Sequence, residues 1–302
     1  MQTQNSFSKS ITFGFLKLLI LGLASYSIYD KIDSFDTPLP TFSILTILIL
    51  LIISSLNWIA EIIKWKLLVS TLSPLSFYEA LKQSLTAHTT AIITPNKIGE
   101  YGAKALFFPK EKRKKILGYT FIGNSYQMLA TTFFGITGLI FYPYRLFKTD
   151  GIIYISIFLG VSLVFGIYLQ KKKNIFKFFF EINKQIHYKT ALASLIRYLI
   201  FSFQYIFILY LLGVSLKPTV LLPIIWLIYF ISSCVPSFAL FDFVIKGSVA
   251  LFLFKPLSVP IDTILATAFL MWLFNFAIPA LLGGFFLSTY KHKSHLNHGV
   301  IK

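Results

Sequence analysis

Long apolar runs separated by short basic loops dominate this sequence. Six runs are long enough to cross a bilayer as helices, since spanning the hydrocarbon core takes ~20 residues at helical rise. They cover residues 11–29, 41–60, 116–142, 151–169, 190–213 and 261–290. The pattern predicts an all-α, polytopic integral membrane protein with about six full spans.

Two further stretches, 76–108 and 219–254, are apolar but broken by a proline and by charges. In each, an acidic residue is followed four positions later by a lysine, as Glu100 and Lys104 and as Asp242 and Lys246. Such residues face each other on a helix and are expected to form an ion pair. We predict two re-entrant or short-helix hairpins with a functional role, because an ionised side chain in hydrocarbon costs at least ~2.5 kcal/mol.

The spans and the breaks recur at nearly constant spacing. Span starts at 11, 41 and 116 are followed by starts at 151, 190 and 261, and the charge pairs are offset by 142 residues. The charges of the loops indicate that the first half begins inside and the second outside, so the repeat is expected to be inverted, as is typical of transporters. We therefore expect one transmembrane domain over residues 1–302, with repeats at about 9–142 and 151–290 and a cytoplasmic tail at 291–302.

Composition and loop charge refine this interpretation. The 302 residues are 56% hydrophobic and 13% charged, which excludes an ordinary soluble domain, and the net charge is +17. The basic residues lie in short loops, which argues against nucleic-acid binding and predicts that the N- and C-termini are cytoplasmic. Residues 174–187 are expected to form an interfacial helix on the inner leaflet.

The first break is predicted to bind an anion. Thr94 is a plausible N-cap with Pro95 at the first helical position, so that free N–H groups and a partial positive charge would point into the membrane. Lys97 adds a full charge, and Gly99 and Gly102 permit close approach of a helix or a headgroup. The candidate headgroup-binding residues are Thr94, Pro95, Asn96, Lys97, Gly99, Glu100, Lys104, Asp242 and Lys246.

Polar residues inside the spans are further candidates for lining a cavity. They are Asn124, Gln127, Arg197 and Gln204, with helix–helix hydrogen bonding as the alternative role. An intramembrane arginine needs a partner, for which Glu100 and Asp242 are the first candidates. The charge pairs likewise have a structural alternative, as clasps between re-entrant helices.

A second polar group lies near the end of the second apolar run. We expect Asn57, Glu61 and Lys64 to mark the inner end of that span, where charged side chains reach water.

The run Thr94-Pro95-Asn96-Lys97-Ile98-Gly99-Glu100 resembles the Thr-Pro-Gly-(Lys/Arg)-x-Gly-Glu motif of the lysylphosphatidylglycerol synthase transmembrane family, also called flippase-like domain proteins. The later stretch from Pro236 to Asp242 departs from the family, which usually has a Gly-Gly run and a glutamate there. The resemblance implies a cytoplasmic-membrane protein with two re-entrant regions, whose relatives move aminoacylated phospholipids or belong to polyprenyl-linked sugar pathways. Only a short tail follows Tyr290, so no soluble aminoacyltransferase domain is expected.

The leading hypothesis is a lipid translocase that moves an anionic or aminoacylated phospholipid or a polyprenyl-linked lipid between leaflets. The alternative is a non-transporting scaffold for a glycosyltransferase or lipid-modifying enzyme. An intramembrane lipid-carrier transferase or phosphatase is the less supported enzyme alternative, since nucleotide-binding and hydrolase motifs are absent from the sequence. No catalytic residue, metal site or cofactor is predicted, and the expected partners are membrane lipids.

Overall fold

The computed structural model describes residues 42–92, 94, 97–142, 179, 181–235 and 241–297. The predicted spans at 11–29 and 151–169 lie outside the described residues, as do Pro95, Asn96, Pro236 and the last residues of the tail.

The described chain is helical, and no strand occurs within it. The π-helical turn Leu273–Ala277 joins its last two helices without a break. The α-helices are α1 Ile44–Val69, α2 Phe77–Ala91, α3 Ile98–Leu106, α4 Lys110–Phe141, α5 Lys184–Leu211, α6 Pro218–Cys234, α7 Asp242–Phe254, α8 Ile261–Trp272 and α9 Ile278–Asn297.

Within the described residues, three helical segments are long and apolar enough to cross a membrane, namely Ile44–Val69, Lys184–Leu211 and Ile261–Ser288. They correspond to the predicted spans at 41–60, 190–213 and 261–290. The helix α4, at 32 residues, covers the predicted span at 116–142 but is not apolar enough to join them. The architecture fits an α-helical membrane protein, while six full spans stay a prediction.

The two faces of α1 show how such a helix sits in lipid. Apart from Ser55, the exposed residues of this helix are apolar, among them Leu48, Ile52 and Ile63. Its buried face carries Asn57, Glu61 and Lys64, the opposite of a soluble amphipathic helix. Because α1 continues to Val69, the prediction that Asn57, Glu61 and Lys64 mark the end of the span is wrong; all three are buried inside the helix bundle.

The two proline-containing stretches are broken helices, as predicted. The first consists of α2 and α3, and the second of α6 and α7. The predicted interfacial segment at 174–187 ends differently, because Lys184 to His187 already form the first turn of α5. The side chain of Asn183 caps that turn by accepting a hydrogen bond from the Gln185 amide at 2.9 Å.

Helix contacts in the two halves correspond. The long helices α1 and α5 pack against each other, α4 packs on the broken segment α6 of the other half, and α9 packs on α2. Each second broken piece also packs on the helix that follows it, α3 on α4 and α7 on α8. This pattern supports an internal repeat.

Two glycines make the same kind of close contact in the two halves. A Cβ atom on Gly138 would overlap the Pro223 carbonyl oxygen, and one on Gly283 would overlap the Leu85 carbonyl oxygen. The offset from Gly138 to Gly283 equals the offset between the predicted span starts at 116 and 261. In both halves, therefore, a glycine lets the last long helix approach the backbone of the opposite broken helix.

We predict that Gly283→Ala destabilises the protein by about 1–3 kcal/mol, because the new methyl group must displace the Leu85 backbone. Gly284→Ala is the matched control, since its Cβ would meet only Thr89 Cγ2 at an ordinary 3.8 Å. Thermal unfolding of both variants in detergent checks this. Equal unfolding temperatures for the two alanine variants would show that the close approach at position 283 is wrong.

Candidate functional site

Both predicted ion pairs form. Lys104 Nζ lies 2.7 Å from Glu100 Oε1 on α3, and Lys246 Nζ lies 2.5 Å from Asp242 Oδ2 on α7. Each pair joins the first turn of a short helix to the turn that follows. The acidic member therefore lies near the positive end of its helix dipole, where a negative charge is stabilised.

The lysine of the first pair is buried. The Lys104 side chain is 3% exposed, and its ammonium group lies 4.4 Å from the centre of the Trp65 ring. A second carboxylate is also near, because Glu61 Oε1 lies 3.9 Å from the same nitrogen. Lys104 is thus enclosed by two carboxylates and an indole, which corrects the expectation that it binds a headgroup directly.

One carboxylate, that of Glu61, serves three cations. Its Oε2 atom lies 2.6 Å from Lys64 Nζ and 2.7 Å from Arg197 Nη1, and its Oε1 atom faces Lys104. These residues come from α1, α5 and α3, so the carboxylate holds three helices together. The predicted partners of Arg197 were Glu100 and Asp242; the observed one is Glu61.

A chain of amide hydrogen bonds continues from this centre through the bundle. Arg197 Nε donates to Asn57 Oδ1 at 3.1 Å, and Asn57 Nδ2 donates to Asn275 Oδ1 at 2.8 Å. Asn275 Nδ2 donates to Gln204 Oε1 at 2.8 Å, and Gln204 Nε2 donates to the Leu50 carbonyl at 3.3 Å. Each amide is oriented by its neighbours, so Gln204 joins helices by hydrogen bonds rather than lining a cavity.

The π-helical turn provides acceptors for side chains of α1 and α2. Wider helical turns disturb the regular backbone ladder and often occur at functional sites. Three successive carbonyl groups of this turn accept side-chain hydrogen bonds. The donors are Ser54 Oγ to Phe274 at 2.6 Å, Trp58 Nε1 to Asn275 at 3.1 Å and His88 Nε2 to Phe276 at 3.2 Å.

The start of α3 differs from the prediction. The helix begins at Ile98, and its N-cap residue is Lys97, in the left-handed region at φ 58°, instead of Thr94. Thr94 still satisfies the helix end, because its Oγ1 accepts a hydrogen bond from the Gly99 amide at 2.8 Å. The Glu100 amide bonds to the Lys97 carbonyl, so fewer amides than predicted are free to bind an anion.

The two glycines of α3 have different surroundings. A Cβ on Gly99 would overlap the Thr90 carbonyl oxygen, which confirms a close approach between α3 and α2. Gly102 faces open space, with nothing within 4 Å of such a Cβ, so helix packing does not require glycine there.

Lys97 links the two breaks. Asp242 and Lys246 of the second break, as well as Glu100 and Arg197, lie close enough for their charges to act on it. Its side chain is exposed. With the described residues its ammonium group makes no hydrogen bond or ion pair. We call the region around Lys97, where charges of both breaks act on it, the inter-break cleft.

The second half surrounds its lysine with aromatic rings. Lys246 Nζ lies 5.7 Å from the centre of the Phe201 ring and 5.4 Å from that of Tyr229, within range of a cation–π interaction. The buried hydroxyls of Tyr198, Tyr205 and Tyr229 have no hydrogen-bond partner among the described residues.

The cavity-lining candidates on α4 are only partly connected to this site. Asn124 Nδ2 donates to the Tyr101 hydroxyl at 3.2 Å and so joins α4 to α3. The Gln127 side-chain oxygen is buried without a partner in the described part of the chain.

A comparison with models of known protein families found no match for this chain. A comparison with curated proteins likewise found none. The function is therefore argued from the geometry of the site.

The sequence interpretation missed Glu61 as the central anion, together with Trp65 and Asn275. A usable signal was present for Glu61, since Asn57, Glu61 and Lys64 follow the i, i+4, i+7 spacing of one helix face inside an apolar helix. Nothing comparable marks Asn275, whose role depends on the π-helical turn.

We predict that Glu61→Gln lowers the free energy of unfolding by about 3–5 kcal/mol, because removing one partner leaves buried charges uncompensated. The measurement is an unfolding titration of the detergent-solubilised protein. Adding Lys64→Met to Glu61→Gln removes one of the stranded cations and should restore part of the loss.

Glu111→Gln is the control, since Glu111 is an exposed residue in the first turn of α4 and should tolerate the change. If Glu61→Gln unfolds with the same midpoint as this control, Glu61 does not hold the three cations together.

Proposed function

We propose that this chain is a lipid translocase that carries an anionic headgroup through the inter-break cleft while the acyl chains stay in the bilayer. The observation that carries the proposal is the position of Lys97, an exposed cation without a pairing partner among the described residues, between the charge pairs of the two breaks.

Charge and accessibility both favour an anionic ligand. Lys97 is open, and Arg197 is 26% exposed and shares its carboxylate with Lys64. A lysine supplies a mobile point charge, and an arginine supplies a planar fork of donors that suits phosphate oxygens. In contrast, Lys104 and Lys64 are buried and act on the ligand only through their charge.

The surroundings favour a lipid as the source of that anion. The exposed surface of α1 is largely apolar and suited to acyl chains, whereas Glu61 and Lys64 face inward. A polar path that opens between two related halves would let a headgroup pass while its tails stay outside, as in transporters built from repeats. The resemblance of residues 94–100 to the flippase-like motif points to the same class.

In this scheme Glu100 and Asp242 balance the cations of the cleft when no headgroup is bound. Both are partly exposed, and both act electrostatically on Lys97 from opposite breaks. A phosphate that enters the cleft would replace these carboxylates as the counter-ion of Lys97, while the pairs Glu100–Lys104 and Asp242–Lys246 stay formed. After its release on the other side, Glu100 and Asp242 would again be the anions that act on Lys97.

We predict that Lys97→Asn slows translocation of a fluorescently labelled anionic phospholipid in proteoliposomes by about tenfold to a hundredfold, because a charge-assisted hydrogen bond contributes about 1.5–3 kcal/mol. Asparagine tolerates the left-handed backbone of position 97, so the change removes the charge without straining the turn. Lys97→Arg keeps the charge and should retain most of the activity.

Lys66→Met, on α1, removes a lysine for which no ion pair is seen among the described residues, and serves as the control for general effects of lost charge. Lipid movement by Lys97→Asn at the wild-type rate, with all variants equally stable, would rule out the cleft as the headgroup path.

A further inference from the structure

The formal charges around the inter-break cleft do not cancel. We group the charges linked by the contacts above as the charge cluster. Counted at their formal charges, they are five cations and three anions, a surplus of two positive charges. The cations are Lys64, Lys97, Lys104, Arg197 and Lys246, and the anions are Glu61, Glu100 and Asp242.

The surplus can be located. Lys104 is balanced by Glu100 and Lys246 by Asp242, each through a direct ion pair. One surplus charge is then that of Lys97. The other belongs to Arg197 and Lys64, since both share the single carboxylate of Glu61.

The second surplus charge is presented to the cleft by Arg197. Lys64 is 2% exposed and cannot touch a ligand, but by binding Glu61 Oε2 it leaves the neighbouring guanidinium incompletely neutralised. Only two of the five N–H groups of Arg197 donate to described side chains, to Asn57 and to Glu61. The remaining donors are available on a side chain that is partly exposed and acts on Lys97.

Two uncompensated like charges near each other are unfavourable in a site of low dielectric constant, and an anion between them relieves the repulsion. The relief is greatest when the anion carries the same number of charges as the surplus. A phosphodiester carries one negative charge, whereas a phosphomonoester carries about 1.5 to 2 at neutral pH.

We propose that the cleft selects lipids whose phosphate group carries two negative charges, as in a phosphomonoester or a diphosphate link, over lipids with a phosphodiester. Lys97 and Arg197 bind the phosphate oxygens, and Lys64 sets the selectivity without contacting the ligand. This inference rests on the proposed translocase function and specifies its substrate class.

The test compares two lipids that have the same acyl chains, phosphatidic acid and phosphatidylmethanol. They differ by one methyl group, which removes the second ionisable oxygen. Binding to the purified full-length protein in detergent is measured at about pH 8, where the phosphomonoester is close to doubly charged. We expect phosphatidic acid to bind about five- to tenfold more tightly, as one extra charge interaction at this distance allows.

The variant Lys64→Met distinguishes selection by charge from selection by size. It should weaken the binding of phosphatidic acid and leave the binding of phosphatidylmethanol nearly unchanged, so that the ratio of the two affinities approaches one. Lys66→Met, two residues along the same helix, should keep the wild-type ratio. A ratio that survives in Lys64→Met would mean that the methyl group is excluded by its size, and it would overturn the charge-based selection.

The remaining outcomes distinguish this inference from the proposed function. Equal binding of the two lipids by the wild-type protein would overturn the selection for two charges and leave the translocase proposal standing. Binding of neither lipid would contradict both. Glycerol 3-phosphate is tested as a soluble competitor, and displacement at concentrations comparable to those of phosphatidic acid would show that the site serves a soluble phosphate and contradict the lipid assignment.

Discussion

The carboxylate of Glu61 is the constraint on which the rest of the structure depends. In a membrane interior no water compensates a lone charge, so each ionised group must find its partner within the protein. Glu61 meets this need for Lys64 and Arg197 and contributes to it for Lys104, and in doing so it fixes α1 against α3 and α5. The position of the first break, and with it that of Lys97, follows from this arrangement.

The two halves share a plan but differ in the chemistry around the lysine of each break. Lys104 faces Trp65 and Glu61 in the first half, and Lys246 faces Phe201 and Tyr229 in the second. Phe201 follows Glu61 at the same offset that separates Arg197 from its partner Asn57, 140 residues. The second half thus has an aromatic ring where the first has a carboxylate, and its lysine is stabilised by ring faces. This asymmetry allows two similar breaks to make one polar site with excess positive charge.

The main helices and both breaks were predictable because each has a local cause. Apolar length gives the spans, and the i, i+4 spacing gives the pairs Glu100–Lys104 and Asp242–Lys246. The predictions that were wrong concern contacts between segments that are distant in sequence. Arg197 pairs with Glu61, which lies 136 positions earlier in the sequence, and no local pattern specifies this pair.

The burial of Lys104 and the start of α3 at Ile98 have the same origin. Both result from how α3 meets α1 and α2, where Trp65 covers the lysine and Thr94 caps the helix from outside its first turn. The π-helical turn is a further case, because its carbonyl acceptors matter only beside the donors of α1 and α2.

The most direct test of the central claim is an experimental structure of the full chain in lipid nanodiscs that contain an anionic lipid. The account predicts Arg197 and Lys64 on the Glu61 carboxylate, and density for a lipid phosphate between Lys97 and Arg197 in the inter-break cleft. A structure in which Lys97 points to bulk water, far from Asp242, with no anion beside Arg197, would contradict it.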